Sequence, residues 1–165
     1  MHELTFKITF KRHLSQLNWM LSVYGILLTI YFYYYGWHFP GPYLYIFTAV
    51  FILDILPTLI LHVQYWMANR KSVFVINKEL HKLSYSGPHQ SESYNFDDIA
   101  SLLHVASFGG GSWYSFAEYR YFKITFKDGK EFIITSLMVK DIKYVLEMLL
   151  NIKADKKVRA FAFIQ

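Results

Sequence analysis

Asp54 is the only Lys, Arg, Asp or Glu between His13 and Arg70, and an isolated carboxylate in such a run is the first place to look for chemistry. Inside a bilayer an acid of this kind relays protons, meets a passing cation, or ties two helices together by a hydrogen bond. It lies three residues before Pro57, whose missing N–H loosens the nearby backbone. If the chain folds back at Gly36–Pro42, Tyr24 and Gly25 reach the depth of Asp54. The Tyr24 hydroxyl is then the expected donor, and Gly25 lets the helices approach. The expected site is an intramembrane polar contact between Asp54 and Tyr24. Its alternative use is as the ion or proton site of a small oligomeric transport or channel subunit.

Other chemistry is harder to assemble. His2, His13, His38, His62, His81, His89 and His104 are scattered, with no HExxH motif and no i, i+4 pair, so no metal is expected. Gly109-Gly110-Gly111 lacks the Lys and Ser/Thr of a phosphate-binding loop. Trp113, Tyr114 and Phe116 after it suit an exposed contact patch or burial under a sheet. There is no GxSxG. The chain has no cysteine, which excludes disulfide scaffolds and thiolate zinc sites and suits a reducing compartment for a soluble part. The expectation is a non-enzymatic protein without a cofactor.

The elements that must position Asp54 follow from hydropathy. Leu17–Tyr35 and Tyr43–Met67 are each near the ~20 apolar residues that cross a bilayer, and Gly36–Pro42 breaks between them. Lys7, Lys11 and Arg12 precede the hairpin, and Arg70, Lys71, Lys78 and Lys82 follow it, whereas the turn has no basic residue. Positive-inside reasoning puts both termini in the cytoplasm of a multi-pass membrane protein. It also puts Lys11, Arg12, Arg70 and Lys71 beside anionic lipid headgroups. Tyr33, Tyr34, Tyr35, Trp37, Tyr43 and Tyr45 would form the outer aromatic belt, with Trp19, Tyr65 and Trp66 forming the inner one. The net charge of +5 is explained by these flanks, so no nucleic-acid partner is expected.

After Lys71 the pattern becomes strand-like. Ser72–Asn77, Leu80–Ser86, Ser93–Phe96, Leu102–Ala106, a long strand ending in Arg120–Lys127, and Lys130–Ser136 alternate in strand fashion. Asp128-Gly129 suggests a type I′ hairpin. A last helix is expected from an N-cap at Ser136, with Met138, Ile142, Val145, Leu146, Leu149 and Leu150 on its apolar face. Leu4–Phe10 also alternates, and its Phe6–Lys11 hexapeptide recurs at Phe122–Lys127. A strand this short needs a partner, and an edge of the later sheet is the natural one.

The segments LTFKITF, YNFDDIASLLHV and FKITFKDGKEFIITSLMVKDIKYVLEMLL, with the hairpin between the first two, make the chain resemble bacterial membrane-anchored PH-like proteins of the YcxB-like type. The resemblance implies an α+β membrane protein: a two-helix transmembrane hairpin plus a PH-like antiparallel β domain with a C-terminal helix. Its divisions are 1–13 (strand and basic flank), 14–69 (hairpin), 70–152 (cytoplasmic domain) and 153–165 (basic and apolar tail). The implied function is a membrane-tethered interaction or scaffolding module for a protein partner, with homo-oligomers allowed. The Asn77-Lys78-Glu79 turn has no basic cluster and the last helix no Trp, so no inositol-lipid residues carry over.

Overall fold

The computed structural model describes residues 3–37, 41–87, 91–108 and 114–164. The chain begins with β1 (Glu3–Phe6) and α1 (Phe10–Tyr35), then α2 (Gly41–Val50), a π-helical turn (Phe51–Ile55) and α3 (Leu56–Asn69). The strands β2 (Val73–Asn77), β3 (Lys82–Ser86), β4 (Ser91–Asn95), β5 (Ile99–Ser107), β6 (Arg120–Phe126) and β7 (Glu131–Thr135) follow. Helix α4 (Ile142–Leu150) and β8 (Asp155–Arg159) complete it.

This is an α+β architecture. One sheet has the order β1-β2-β3-β4 and is antiparallel throughout; the other has the order β7-β6-β5-β8. Phe74, Ile76 and Leu83 from the first sheet meet Phe122, Ile124 and Ile134 from the second, and α4 adds Ile142, Leu146, Leu149 and Leu150. The buried positions of α4 are those its 3.6-residue spacing selects.

The helices form an antiparallel hairpin joined at three levels, by His13 with His62, Tyr24 with Asp54, and Tyr35 with Tyr43. Expectation and structure part here. Among the described residues, only Thr48–Asn69 is a single helix long and apolar enough to cross a bilayer, with a mean hydropathy of 1.5. Helix α1 qualifies only if its two arms, Phe10–Asn18 and Met20–Tyr35, are joined across a 46° bend. The expected first span, Leu17–Tyr35, straddles that bend. The expected second span, Tyr43–Met67, overlaps Thr48–Asn69, but the inner part of that helix packs on the β domain, where Leu61 and Tyr65 are buried and His62 and Asn69 are hydrogen-bonded. Tyr65 is fully buried rather than part of an aromatic belt.

Four local expectations are also corrected. β1 ends at Phe6 because the Thr9 hydroxyl accepts the Arg12 N–H at 3.3 Å and caps α1. Phe6 and Ile8 reach the core, but Leu4 is 42% exposed and Phe10, now helical, 79% exposed. Helix α4 starts at Ile142 after Asp141, not from Ser136, which still bonds to β6 through its N–H and the Arg120 carbonyl. The β6–β7 connection is a three-residue loop closed by Phe126 and Lys130, and positive φ occurs at Gly129 (+84°) but not at Asp128, so it is not type I′. The tail beyond Ile152 supplies β8, parallel to β5, and continues into Phe161–Ile164, which packs on α3 and the second sheet. The expected turn at His38–Pro40 and the Gly109–Trp113 segment lie outside the described residues.

Candidate functional site

The π-helical turn explains the position of Asp54. Pro57 has no N–H to give the carbonyl four residues earlier, and the helix widens just before it. The Thr58 hydroxyl donates to the Asp54 carbonyl at 2.6 Å, satisfying backbone freed by the irregularity. The Asp54 carboxylate then has donors on two sides. Tyr24 Oη donates to Oδ2 at 2.8 Å, the Ser115 backbone N–H to Oδ1 at 2.8 Å, and Ser115 Oγ to Oδ2 at 3.2 Å. Tyr24 comes from α1 and Ser115 opens the 3₁₀ turn Ser115–Glu118 before β6. Asp54 therefore joins α1, the α2–α3 break and the β domain, and both of its oxygens are engaged. An ideal Cβ at Gly25 would meet nothing within 4 Å, so close approach at this level does not depend on that glycine.

The seam continues along α3. His62 Nδ1 and Tyr119 Oη are 2.8 Å apart, and His62 Nε2 lies 3.0 Å from His13 Nδ1, forming a polar chain from β domain to α1. Burial raises the Tyr119 pKa, keeping it a neutral hydroxyl. Gln64 grips the C-terminal segment from both sides, donating to the Ile164 carbonyl and accepting its N–H, each at 3.0 Å. Tyr65 Oη donates to the Ala162 carbonyl at 2.7 Å. Asn69, 2% exposed, donates to the Ile133 carbonyl at 2.8 Å and accepts the Thr135 N–H at 3.1 Å. Its amide thus stands in for a neighbouring strand along β7. These contacts make α3 continuous with the sheet.

Two further polar groups lie in the β domain. Tyr94 Oη lies 2.8 Å from both the Glu92 and the Asp128 carboxylates, which share its single hydrogen, and Lys130 Nζ meets Glu92 at 2.5 Å. The Lys130 hydrogen bond is the main cause holding the Glu92 carboxyl below its ordinary range. His104, 4% exposed on β5, stacks on Phe122, with no partner for either ring nitrogen among the described residues. Burial pushes its pKa down to about 4.

Of the residues expected near headgroups, Lys11 and Arg12 sit in the first turn of α1. Arg70 follows α3 with its guanidinium 4.9 Å from the Trp66 ring, and exposed Lys71 comes next. The sequence reading missed Ser115, Gln64 and Asn69. Each acts on backbone groups far away in the chain, and residue type alone carries no trace of that. No group of three metal-ligating side chains converges among the described residues.

The two sheets closed by α4 have the layout of a pleckstrin-homology domain, and the PH domain family pattern matches residues 5–144. The chain belongs to the PH domain family. The match begins in β1 and ends in α4, so the helical hairpin lies within it and β8 beyond it. No curated protein and no solved structure matches the chain.

Proposed function

We propose that this protein is a membrane-tethered PH-like module that presents its β domain to a protein partner at the cytoplasmic face of the cell membrane, without catalysing a reaction. One observation carries the tether: the outward apolar surface of the hairpin. Ile26, Ile30, Ile46, Ile52 and Leu53 are all at least half exposed, Leu53 at 66%. So many exposed large apolar side chains on a pair of neighbouring helices are rare on a soluble monomer. The arm Met20–Tyr35 is ~24 Å long at ~1.5 Å per residue, close to a ~30 Å hydrocarbon core. Lys11, Arg12, Arg70 and Lys71 gather at the opposite end from exposed Tyr33, Tyr34 and Trp37, which supports cytoplasmic termini. Asp54 serves as a clamp in this reading, because Tyr24 and Ser115 give three hydrogen bonds to its two oxygens and so tie the helices to the β domain.

The native chain lacks cysteine, so single-cysteine labelling tests the tether. In intact cells a membrane-impermeant maleimide should label Trp37→Cys and not Gly87→Cys, and alkaline carbonate should not release the protein. Release by carbonate, or labelling of Gly87→Cys alone, would overturn the reading.

A further inference from the structure

The outward apolar surface does not end with the hairpin. Phe108, just after β5, is 67% exposed, and Tyr114, before β6, is 52% exposed. Tyr114 stacks on Phe116 with ring centroids 5.2 Å apart, and Phe116 meets Phe161 edge-on at 5.0 Å. β5 and β6 are antiparallel with Ala106 opposite Arg120, so both exposed rings lie at one end of the second sheet. That end adjoins the hairpin, because the Ser115–Glu118 turn is bonded to Asp54.

Counting residues gives the depth of this turn. Tyr24, which shares the Asp54 carboxylate with Ser115, comes 11 residues before Tyr35, whose hydroxyl meets that of Tyr43 at the outer end of the hairpin. At ~1.5 Å per residue the turn is about 16 Å from that end, roughly halfway through a ~30 Å hydrocarbon core. A hairpin that spans the bilayer therefore carries Ser115 below the headgroups. Non-helical backbone is tolerated at that depth only where the protein buries it and bonds its polar groups. The turn meets that condition. Ser115, Phe116 and Ala117 are buried, and the Ser115 N–H donates to Asp54 at 2.8 Å. The Ala117 and Tyr119 N–H groups donate to the Tyr114 and Phe116 carbonyls, each at 3.1 Å, and the Phe108 N–H to the Arg159 carbonyl at 2.6 Å. Glu118 and Arg120, paired at 3.6 Å, then bring charge back into the chain and set the limit of insertion.

We infer that the β5–β6 connection is a third membrane-inserted element, with Phe108 and Tyr114 seated among the acyl chains of the cytoplasmic leaflet beside the hairpin. What these rings meet is the bilayer interior, the same medium that receives Leu53, exposed at 66% and next in sequence to Asp54. The β domain is then held at two separate places, by α3 and by this turn, which fixes its tilt as well as its position. β6 runs from the inserted end to the Asp128–Gly129 loop, so that loop is turned toward the cytoplasm and a partner there. The inference rests on the membrane tether proposed above.

The test uses the full-length protein in phosphatidylcholine liposomes, with one nitroxide label at a time on Phe108→Cys, Tyr114→Cys, Ile46→Cys or Lys127→Cys. All four positions are exposed, so the labels displace no core side chain. Ile46→Cys on the hairpin is the bilayer reference and Lys127→Cys, at the far end of β6, the aqueous one. Electron paramagnetic resonance compares collision with oxygen, which concentrates in the bilayer, against collision with a water-soluble nickel chelate. Labels at Phe108→Cys and Tyr114→Cys should favour oxygen over the chelate, as Ile46→Cys does, while Lys127→Cys shows the reverse. Either loop label reading like Lys127→Cys, with Ile46→Cys still in the bilayer, would overturn this inference alone and leave the tether standing. Ile46→Cys reading as water would overturn both.

Discussion

Asn69→Ala probes the joint between the last turn of α3 and β7. In the native protein one side-chain amide satisfies two backbone groups on the edge of β7, the Ile133 carbonyl and the fully buried Thr135 residue's N–H. Alanine removes both bonds and cannot replace them from elsewhere, since α3 covers that edge. An orphaned buried backbone group costs about 1–3 kcal/mol, so the loss should be about 2–5 kcal/mol. Total stabilities run to about 5–15 kcal/mol, so this is a severe change. At about 2–4 °C per kcal/mol for a chain of this size, the midpoint should fall by about 4–20 °C. Asn69→Asp should fall comparably, because it keeps an acceptor for Thr135 but sets oxygen against the Ile133 carbonyl. The assay is thermal unfolding of the purified protein by near-ultraviolet circular dichroism, with hydrogen exchange at the Thr135 amide. An Asn69→Ala protein melting within about 1 °C of its parent, with the Thr135 amide still protected, would refute the bridging role.

Three other outcomes follow from the geometry. His104 is held neutral with a pKa of about 4, against about 6.5 in the unfolded chain. Below pH 6.5 the unfolded chain therefore binds a proton that the folded one refuses. This contribution to stability is complete above about pH 6.5, is lost progressively toward pH 4, and is worth about 1–3 kcal/mol after allowing for solvent screening. His104→Leu should flatten that part of a stability–pH curve. Tyr24→Phe removes one of three donors to the Asp54 carboxylate and should cost about 1–2 kcal/mol in urea unfolding, with faster exchange at the Ser115 amide. Gly129→Val places a branched side chain at φ +84° and should lower stability by more than about 1 kcal/mol, measured the same way.

The contrast between what was legible and what was not is clearest at the repeated hexapeptide. Phe122–Phe126 of the second copy lies in β6, as its alternation suggests. The identical Phe6–Lys11 leaves its strand after one residue and enters α1 by Thr9 capping, because an uninterrupted helical sequence follows it. Local pattern gave the strands of the β domain to within a few residues, since alternation reports a half-buried sheet directly. It placed Tyr24 opposite Asp54 because helix rise makes depth a matter of counting residues. It could not show that Ser115, 61 residues away, would share that carboxylate. Nor could it show that Leu61 and Tyr65 face protein rather than lipid, since apolar side chains suit both. The strand in the tail was not legible for a different reason: Asp155–Arg159 is too polar to resemble a strand, yet it pairs with β5.

The pairing of β1 with β2 constrains the order in which the molecule can be made. These neighbours are joined through the whole helical hairpin, from Lys7 to Ser72. Closing so long a connection from a disordered chain costs about 4 kcal/mol in its length-dependent part alone. Four backbone pairings at a sheet edge are poor compensation. Once the hairpin has formed, however, Phe10 and Asn69 are held at the same end of it, and the effective loop shrinks to the few residues on either side. β1 therefore adds after the hairpin, as a latch that closes over assembled helices. A newly synthesised chain whose helices had failed to come together would retain an open β2 edge, the kind of unpaired backbone that chaperones and proteases recognise.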